Sequence, residues 1–147
     1  LFRGAQLMAV YFLVQQHVAE PTMVVGPSML PTLHMEGDVV LLSHLAFTPQ
    51  AGDLVVFKSP LDPRRFVVKR VVGVPGDTVL HEPWRRLTHN RIELSKIRCD
   101  GPPPPDALVP LTVPPGTLWV QGDNVANSTD SRHYGPVPIG LVVGRVV

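Results

Sequence analysis

The chain has 147 residues, room for one domain with a hydrophobic core and little more, and its net charge of +1 gives no electrostatic reason to expect a nucleic-acid partner. Its single cysteine, Cys99, excludes an intrachain disulfide and a cysteine-based metal site; the six histidines form no i, i+4 pair, so no metal or cofactor is expected. Seventeen prolines exclude a mostly helical chain, because an interior proline costs a helix about 3 kcal/mol or more.

In chain order, Leu1 to Val18 is the one stretch that reads as a helix, with a continuous apolar run from Leu7 to Val14 ended by Gln15, Gln16 and His17. Such a run is too short to cross about 30 Å of hydrocarbon at about 1.5 Å per residue. It reads as the end of an N-terminal membrane anchor, preferred over a helix packed on the domain. A cleaved signal peptide is disfavoured, since no small-x-small site follows. The expected division is an anchor segment at 1–20 and a β domain at 21–147. Short β-branched runs then follow at Asp38–Ser43, Asp53–Lys58, Arg65–Val74, Thr117–Gln121 and Leu141–Val147. Gly-Asp or Pro-Gly turns punctuate most of them, as at Gly37-Asp38, Gly52-Asp53 and Pro75-Gly76-Asp77. This spacing predicts an all-β domain built on a folded-over or barrel-like sheet. Residues 81–110 are polar, lack periodicity and contain Gly101 followed by four prolines; they read as an insertion loop with a polyproline-like segment.

Three segments carry candidate chemistry. In Gly26-Pro27-Ser28-Met29-Leu30-Pro31-Thr32, two prolines stiffen a turn and project the Ser28 hydroxyl from a fixed platform, though Gly-Pro-Ser turns are also common without catalysis. In Phe66–Asp77, strand alternation puts Lys69 on the face of Val67 and Val71, and Arg70 on the face of Phe66, Val68 and Val72. A lysine flanked by valines on its own face is desolvated, which lowers its pKa and suits it to act as a base near neutral pH. The plainer alternative is an amphipathic strand whose lysine snorkels to water. The run from Gly122 to Arg132, with Asp123, Asn124, Asn127, Ser128 and Asp130, is dense in small hydrogen-bonding groups. It suits a braced loop in which Ser128 orients a neighbouring amine, or simply an Asx/Ser turn cluster.

Taken in order, Ser-Met-x-Pro-Thr, Lys-Arg-Val-x-Gly-x-Pro-Gly-Asp and Gly-Asp-Asn…Asn-Ser-x-Asp-Ser-Arg…Gly-Pro resemble the type I signal peptidases over about residues 23–147. The resemblance implies a signal-peptidase/LexA-like folded antiparallel sheet behind an N-terminal helical anchor. It implies Ser28 as nucleophile and Lys69 as its base, with Ser128 hydrogen-bonding the lysine amine. Asp123, Asp130 and Arg132 would be bracing charges, and Arg70 the ion-pair partner of Asp123. Many members carry a hydroxyl residue two positions before the nucleophile; here Gly26 stands there, so the oxyanion would rest on the Ser28 backbone N–H and its surroundings at Gly26.

Within the family, the short length and Asn-Ser-Thr-Asp-Ser-Arg…Tyr-Gly-Pro-Val-Pro-x-Gly resemble the subunit 1 branch of the mitochondrial inner membrane proteases, since subunit 2 relatives commonly lack the arginine matched by Arg132. That branch implies an inner-membrane enzyme facing the intermembrane space and a related second protease subunit. Its substrates would be precursor proteins with cleavable sorting signals. Read from the residues themselves, Met29, Leu30 and the apolar end of the N-terminal segment would form a shallow surface facing membrane lipid beside the site. A bacterial signal peptidase at the plasma membrane and an inactive presequence-binding membrane scaffold are the alternatives. A self-cleaving LexA-like repressor would need a cleavage loop and a DNA-binding domain absent here, and the endoplasmic-reticulum type would place histidine at position 69.

Overall fold

The computed structural model describes residues 6–8, 18–35, 37–81 and 108–147. Most of the expected N-terminal helix and the interior of the insertion at 81–110 lie outside them. Among the described residues no helix is long and apolar enough to cross a membrane.

The strands are β1 (Ala19–Val24), β2 (Asp38–Ser43), β3 (Leu54–Lys58), β4 (Phe66–Gly73), β5 (Thr78–His81), β6 (Val109–Thr112), β7 (Thr117–Gln121), β8 (Val137–Pro138) and β9 (Val142–Val146). One short helix, α1 (Ser131–Tyr134), joins β7 to β8. A seven-stranded sheet runs β1-β2-β9-β3-β4-β7-β8, and β5 pairs with β6 in a separate ribbon. Every strand pair is antiparallel, as the expected all-β reading requires.

Each β-branched run expected from the sequence is a strand, within a residue or two at the ends. β1 is an addition, and it begins at Ala19, inside the segment assigned to the anchor. It pairs with β2 from Ala19↔Ser43 to Val24↔Asp38. As the edge of the sheet it tolerates Pro21, whose missing N–H a central strand would need. β2 and β3 are not neighbours; β9 lies between them, pairing Ser43↔Arg145 on one side and Val55↔Arg145 on the other.

Two apolar clusters anchor the strands that bear the candidate chemistry. Val55, Phe57, Val71, Leu118, Val120 and Val137 form one, under β3, β4 and β7. Val24, Met29, Leu33 and Val40 form the other, under β1, β2 and the segment between them. β4 serves both, because Val67 packs on the first cluster and Val68 on the second.

Candidate active site

Strand alternation does to Lys69 what the sequence predicted. It faces inward with Val71 and sits opposite Val55 in β3, and only 4% of it is exposed. Burial lowers its pKa from 10.5 to about 8, against a smaller opposing pull from the Asp130 charge. Its Nζ donates to Ser28 Oγ at 2.7 Å and to the Val68 carbonyl at 2.9 Å. Two groups distant in sequence, a serine on a proline-stiffened turn and a desolvated amine, are thus in direct contact.

Ser28 sits in a single 3-10 turn, Pro27–Met29, and its neighbour fixes it from below. Met29 is 1% exposed, plugged into the core with Val24, Leu33 and Val40, so it cannot contribute to a membrane-facing surface as the sequence suggested. Burying such a side chain contributes about 1.5–3 kcal/mol, most of which would be lost if the turn lifted. From the other side Asn124 holds the turn by its main chain: its N–H donates to the Ser28 carbonyl at 3.0 Å and its Nδ2 to the Pro27 carbonyl at 3.0 Å. Gly26 has φ 124, a conformation that side-chain-bearing residues rarely adopt. The glycine is therefore what this backbone path requires, whatever it costs in a missing hydroxyl.

Gly122 is where the Ser28 turn meets the loop after β7. A Cβ there would fall on the Ser128 hydroxyl and 2.5 Å from the Ser28 carbonyl oxygen, so only glycine permits the approach. The sequence reading took Gly122-Asp123 for turn punctuation and missed this role, as it missed that of Asn124. The only available signal was their place inside the Gly-Asp-Asn motif.

Asp130 is the hub of the same loop. It is fully buried, and its carboxylate accepts from Gly122 N at 2.9 Å, Ser128 Oγ at 2.7 Å, and Arg132 Nε and Nη2 at 2.9 and 2.7 Å. Burial pushes its pKa up, but the Arg132 hydrogen bonds, the Gly122 N–H and the Ser128 hydroxyl outweigh that and hold it below the ordinary carboxylate value. Asp130 also caps α1, accepting from Arg132 N while its own N–H donates to His133 Nδ1. Ser128 was expected on the lysine amine. Its hydroxyl donates to Asp130 instead, and the two hydrogen bonds of Lys69 go to Ser28 and Val68.

Arg70, next along β4, points the other way and clamps Asp123 with two bonds, Nε to Oδ1 at 2.9 Å and Nη2 to Oδ2 at 2.7 Å. Its Nη1 donates to the Gly52 carbonyl at 2.8 Å. Thr32, on the nucleophile segment, adds its hydroxyl to the same carboxylate. The expected Arg70–Asp123 pair is present, and Thr32 is a member that sequence reasoning did not pick out.

Beside Ser28 and Lys69 lies a groove of about 290 Å³ bordered by Thr22–Gly26 on one side and Arg65–Lys69 on the other, with Ser28 and Met29 at its end. Along this stretch β4 pairs only with β3, since β7 joins it from Arg70 onward, and β1 is the outer edge of its sheet. Two strand edges thus border one groove. Among the described residues no three His, Cys, Asp or Glu side chains are placed to hold a metal.

The family model described as signal peptidase, peptidase S26, matches residues 3–147. The mitochondrial ATP-independent inner membrane protease subunit 1a of Arabidopsis thaliana is 40% identical over 97% of this chain and 77% of its own length. The mitochondrial inner membrane protease subunit 1 of Schizosaccharomyces pombe is 36% identical over 97% of this chain and 80% of its own. Subunit 2 from the same yeast is 33% identical over 94% of this chain and 68% of its own. A solved signal peptidase I from Enterococcus faecalis V583 is 28% identical, with a TM-score of 0.48 over 69% of this chain and 98% of that one.

Proposed function

The chain belongs to the signal peptidase family, peptidase S26, and we propose on that premise that it is a serine endopeptidase with Ser28 as nucleophile and Lys69 as general base. The observation that carries this is the 2.7 Å contact between Ser28 Oγ and a lysine whose burial brings its pKa to about 8. Neutral Lys69 takes the hydroxyl proton as Oγ attacks the scissile carbonyl carbon. The carbonyl oxygen becomes an oxyanion beside the Ser28 backbone N–H and Gly26, a residue that brings no hydroxyl of its own. The C–N bond then breaks, and the Lys69 ammonium returns its proton to the departing amine. Water, deprotonated by the same lysine, hydrolyses the acyl-enzyme.

Ser128 and Asp130 set the polar floor beneath this exchange without touching the reacting atoms. Asp130 holds Ser128, Gly122 and Arg132 together, and its charge keeps the Lys69 pKa from falling further. Arg70 and Asp123 tie β4 to the loops that carry Ser28. Substrate enters extended, as an added strand between the edges of β1 and β4, where main-chain hydrogen bonds give affinity and alternate side chains give selectivity.

Its substrates are precursor proteins with cleavable sorting signals. The names of the subunit 1 relatives support a setting at the mitochondrial inner membrane, and the subunit 2 likeness supports a related second subunit as partner. The family resemblance adds the intermembrane-space side, and the apolar N-terminal run adds an anchor in segment 1–20 with membrane lipid as a neighbour.

The test is cleavage of an internally quenched presequence peptide. Ser28→Ala and Lys69→Ala should each lower kcat by about a thousandfold or more, with the double variant no worse than either. Lys69→Arg should fail as well, because a guanidinium does not give up its proton near neutral pH. Full activity in Ser28→Ala would overturn the assignment, and inactivity of the unmodified protein would favour the scaffold reading.

A further inference from the structure

A second groove, also about 290 Å³, lies on the other side of Lys69. It is walled by Leu61 and Asp62 of the turn between β3 and β4, by Thr129, and by Tyr134 of α1. It shares Arg65, Val67 and Lys69 with the first groove, so the two lie side by side as arms on either side of these three residues. Ser28 lines the first arm alone.

We infer that this second arm seats the polypeptide segment that follows the scissile bond. The inference rests on the Ser28–Lys69 protease reading and follows from what each fragment must touch. When the C–N bond breaks, the acyl fragment stays bonded to Ser28 Oγ, so it occupies the arm that Ser28 lines. The amine must receive its proton from Lys69 Nζ, and with the first arm filled, the other space bordered by that side chain is the second groove.

The two arms also differ in how they grip. Unpaired strand edges border the first, whereas the turn at 59–65 is already closed on itself. Ser59 N–H donates to the Arg65 carbonyl, Arg65 N–H to the Asp62 carbonyl, and Leu61 N–H to Ser59 Oγ, at 2.9, 2.9 and 3.3 Å. The departing segment is therefore held by side-chain contacts with Leu61, Asp62, Thr129 and Tyr134 and does not add to a sheet.

The experiment uses the intact chain and peptides identical up to the scissile bond, extended beyond it by one to four residues. Lengthening from one residue to three should raise kcat/KM about tenfold, the usual return on remote binding that is realised at the transition state. Leu61→Trp and Thr129→Trp, which fill the arm from opposite walls, should each reduce that gain to less than about twofold. A second measurement does not depend on turnover. On Ser28→Ala protein, a benzophenone at the second residue beyond the scissile bond should crosslink within 59–65 or 129–134, and one on the acyl side within 22–26. Equal kcat/KM at every length, or the leaving-side probe labelling 22–26, would overturn the inference while leaving the protease reading intact. Failure of the unmodified protein to cut any peptide would remove that reading, and the inference with it.

Discussion

Two aspartate–arginine pairs flank Lys69, alike in chemistry and opposite in burial. In the Asp130–Arg132 pair the side chains are 0% and 10% exposed; in the Asp123–Arg70 pair they are 17% and 32% exposed. The buried carboxylate also takes a main-chain N–H and a serine hydroxyl, and desolvation works against its charge. Asp123 is lowered first by the Arg70 hydrogen bonds, with burial only a counter-effect. One pair is therefore a framework the loop cannot lose. The other is a clamp at the rim, worth little as a charge pair but well placed as a fastener between β4 and the nucleophile segment.

The sharpest way to break this contrast is Arg132→Ala. Leaving Asp130 buried beside one fewer cation should cost about 3–5 kcal/mol of stability and, by releasing the loop behind Ser128, about a hundredfold in kcat/KM. Adding Asp130→Asn to it should recover part of the lost stability, which denaturant melts of the single and double variants would show. If the second substitution only worsened the first, Asp130 would not be an unpaired charge in the single variant.

At the rim, Arg70→Ala should cost only about 1 kcal/mol in the same melts, since exposed pairs are worth that or less. Its rate should still fall about tenfold, because the strand carrying Lys69 is no longer fastened to Asp123 and Thr32. A stability loss as large as that of Arg132→Ala would erase the distinction between the pairs. Smaller again is Thr32→Val, expected to cost about 0.5–1.5 kcal/mol, the net worth of one hydrogen bond, with kcat/KM within about threefold; a larger rate loss would move Thr32 from fastener to essential part.

Acidification should leave both pairs untouched while stopping the reaction. Both carboxylates have folded-state pKa values below their unfolded ones. Their stabilisation is therefore complete above the ordinary value of about 4 and is lost only as pH falls through the lower folded values. In the proposed mechanism Lys69 acts as the neutral amine, so kcat/KM should fall as pH drops through about 8. Below that pH it is protonated folded or unfolded, so it adds no slope to stability there. A pH–rate profile with parallel melts should show activity declining between about pH 8 and 5 with no matching loss from either pair. An acid limb near the ordinary lysine value of about 10.4 would reject the buried base.

The strands that carry chemistry were legible because alternation is a local property. Val67, Lys69 and Val71 declare their shared face in five residues, and the structure buries Lys69 and Val71 and half-buries Val67. β1 was hidden by its Glu20-Pro21 start and by the apolar run before it, and β8 by having only two residues. α1 is too short for periodicity to mark it; its signal was the capping box that Asp130 forms with His133. Of the site residues, Ser28, Lys69, Arg70, Asp123, Ser128, Asp130 and Arg132 do gather in one place. What the sequence could not settle was which hydroxyl meets which partner: Ser128 turns to Asp130, and Thr32 reaches Asp123 across most of the chain. Such choices depend on loop positions fixed only when the sheet closes.

The place of β9 in that sheet has a bearing on biogenesis. β1, β2 and the nucleophile turn lie on one side of it, β3, β4 and Lys69 on the other, and β2 and β3 share no ladder of their own. A ribosome delivers the serine first, the lysine some forty residues later, and the strand that joins their two half-sheets last among the described elements. Until it arrives, no strand ladder connects the half-sheet beside Ser28 to the one that carries Lys69. The ladders that join the two half-sheets are therefore the last of the described pairings that synthesis makes possible.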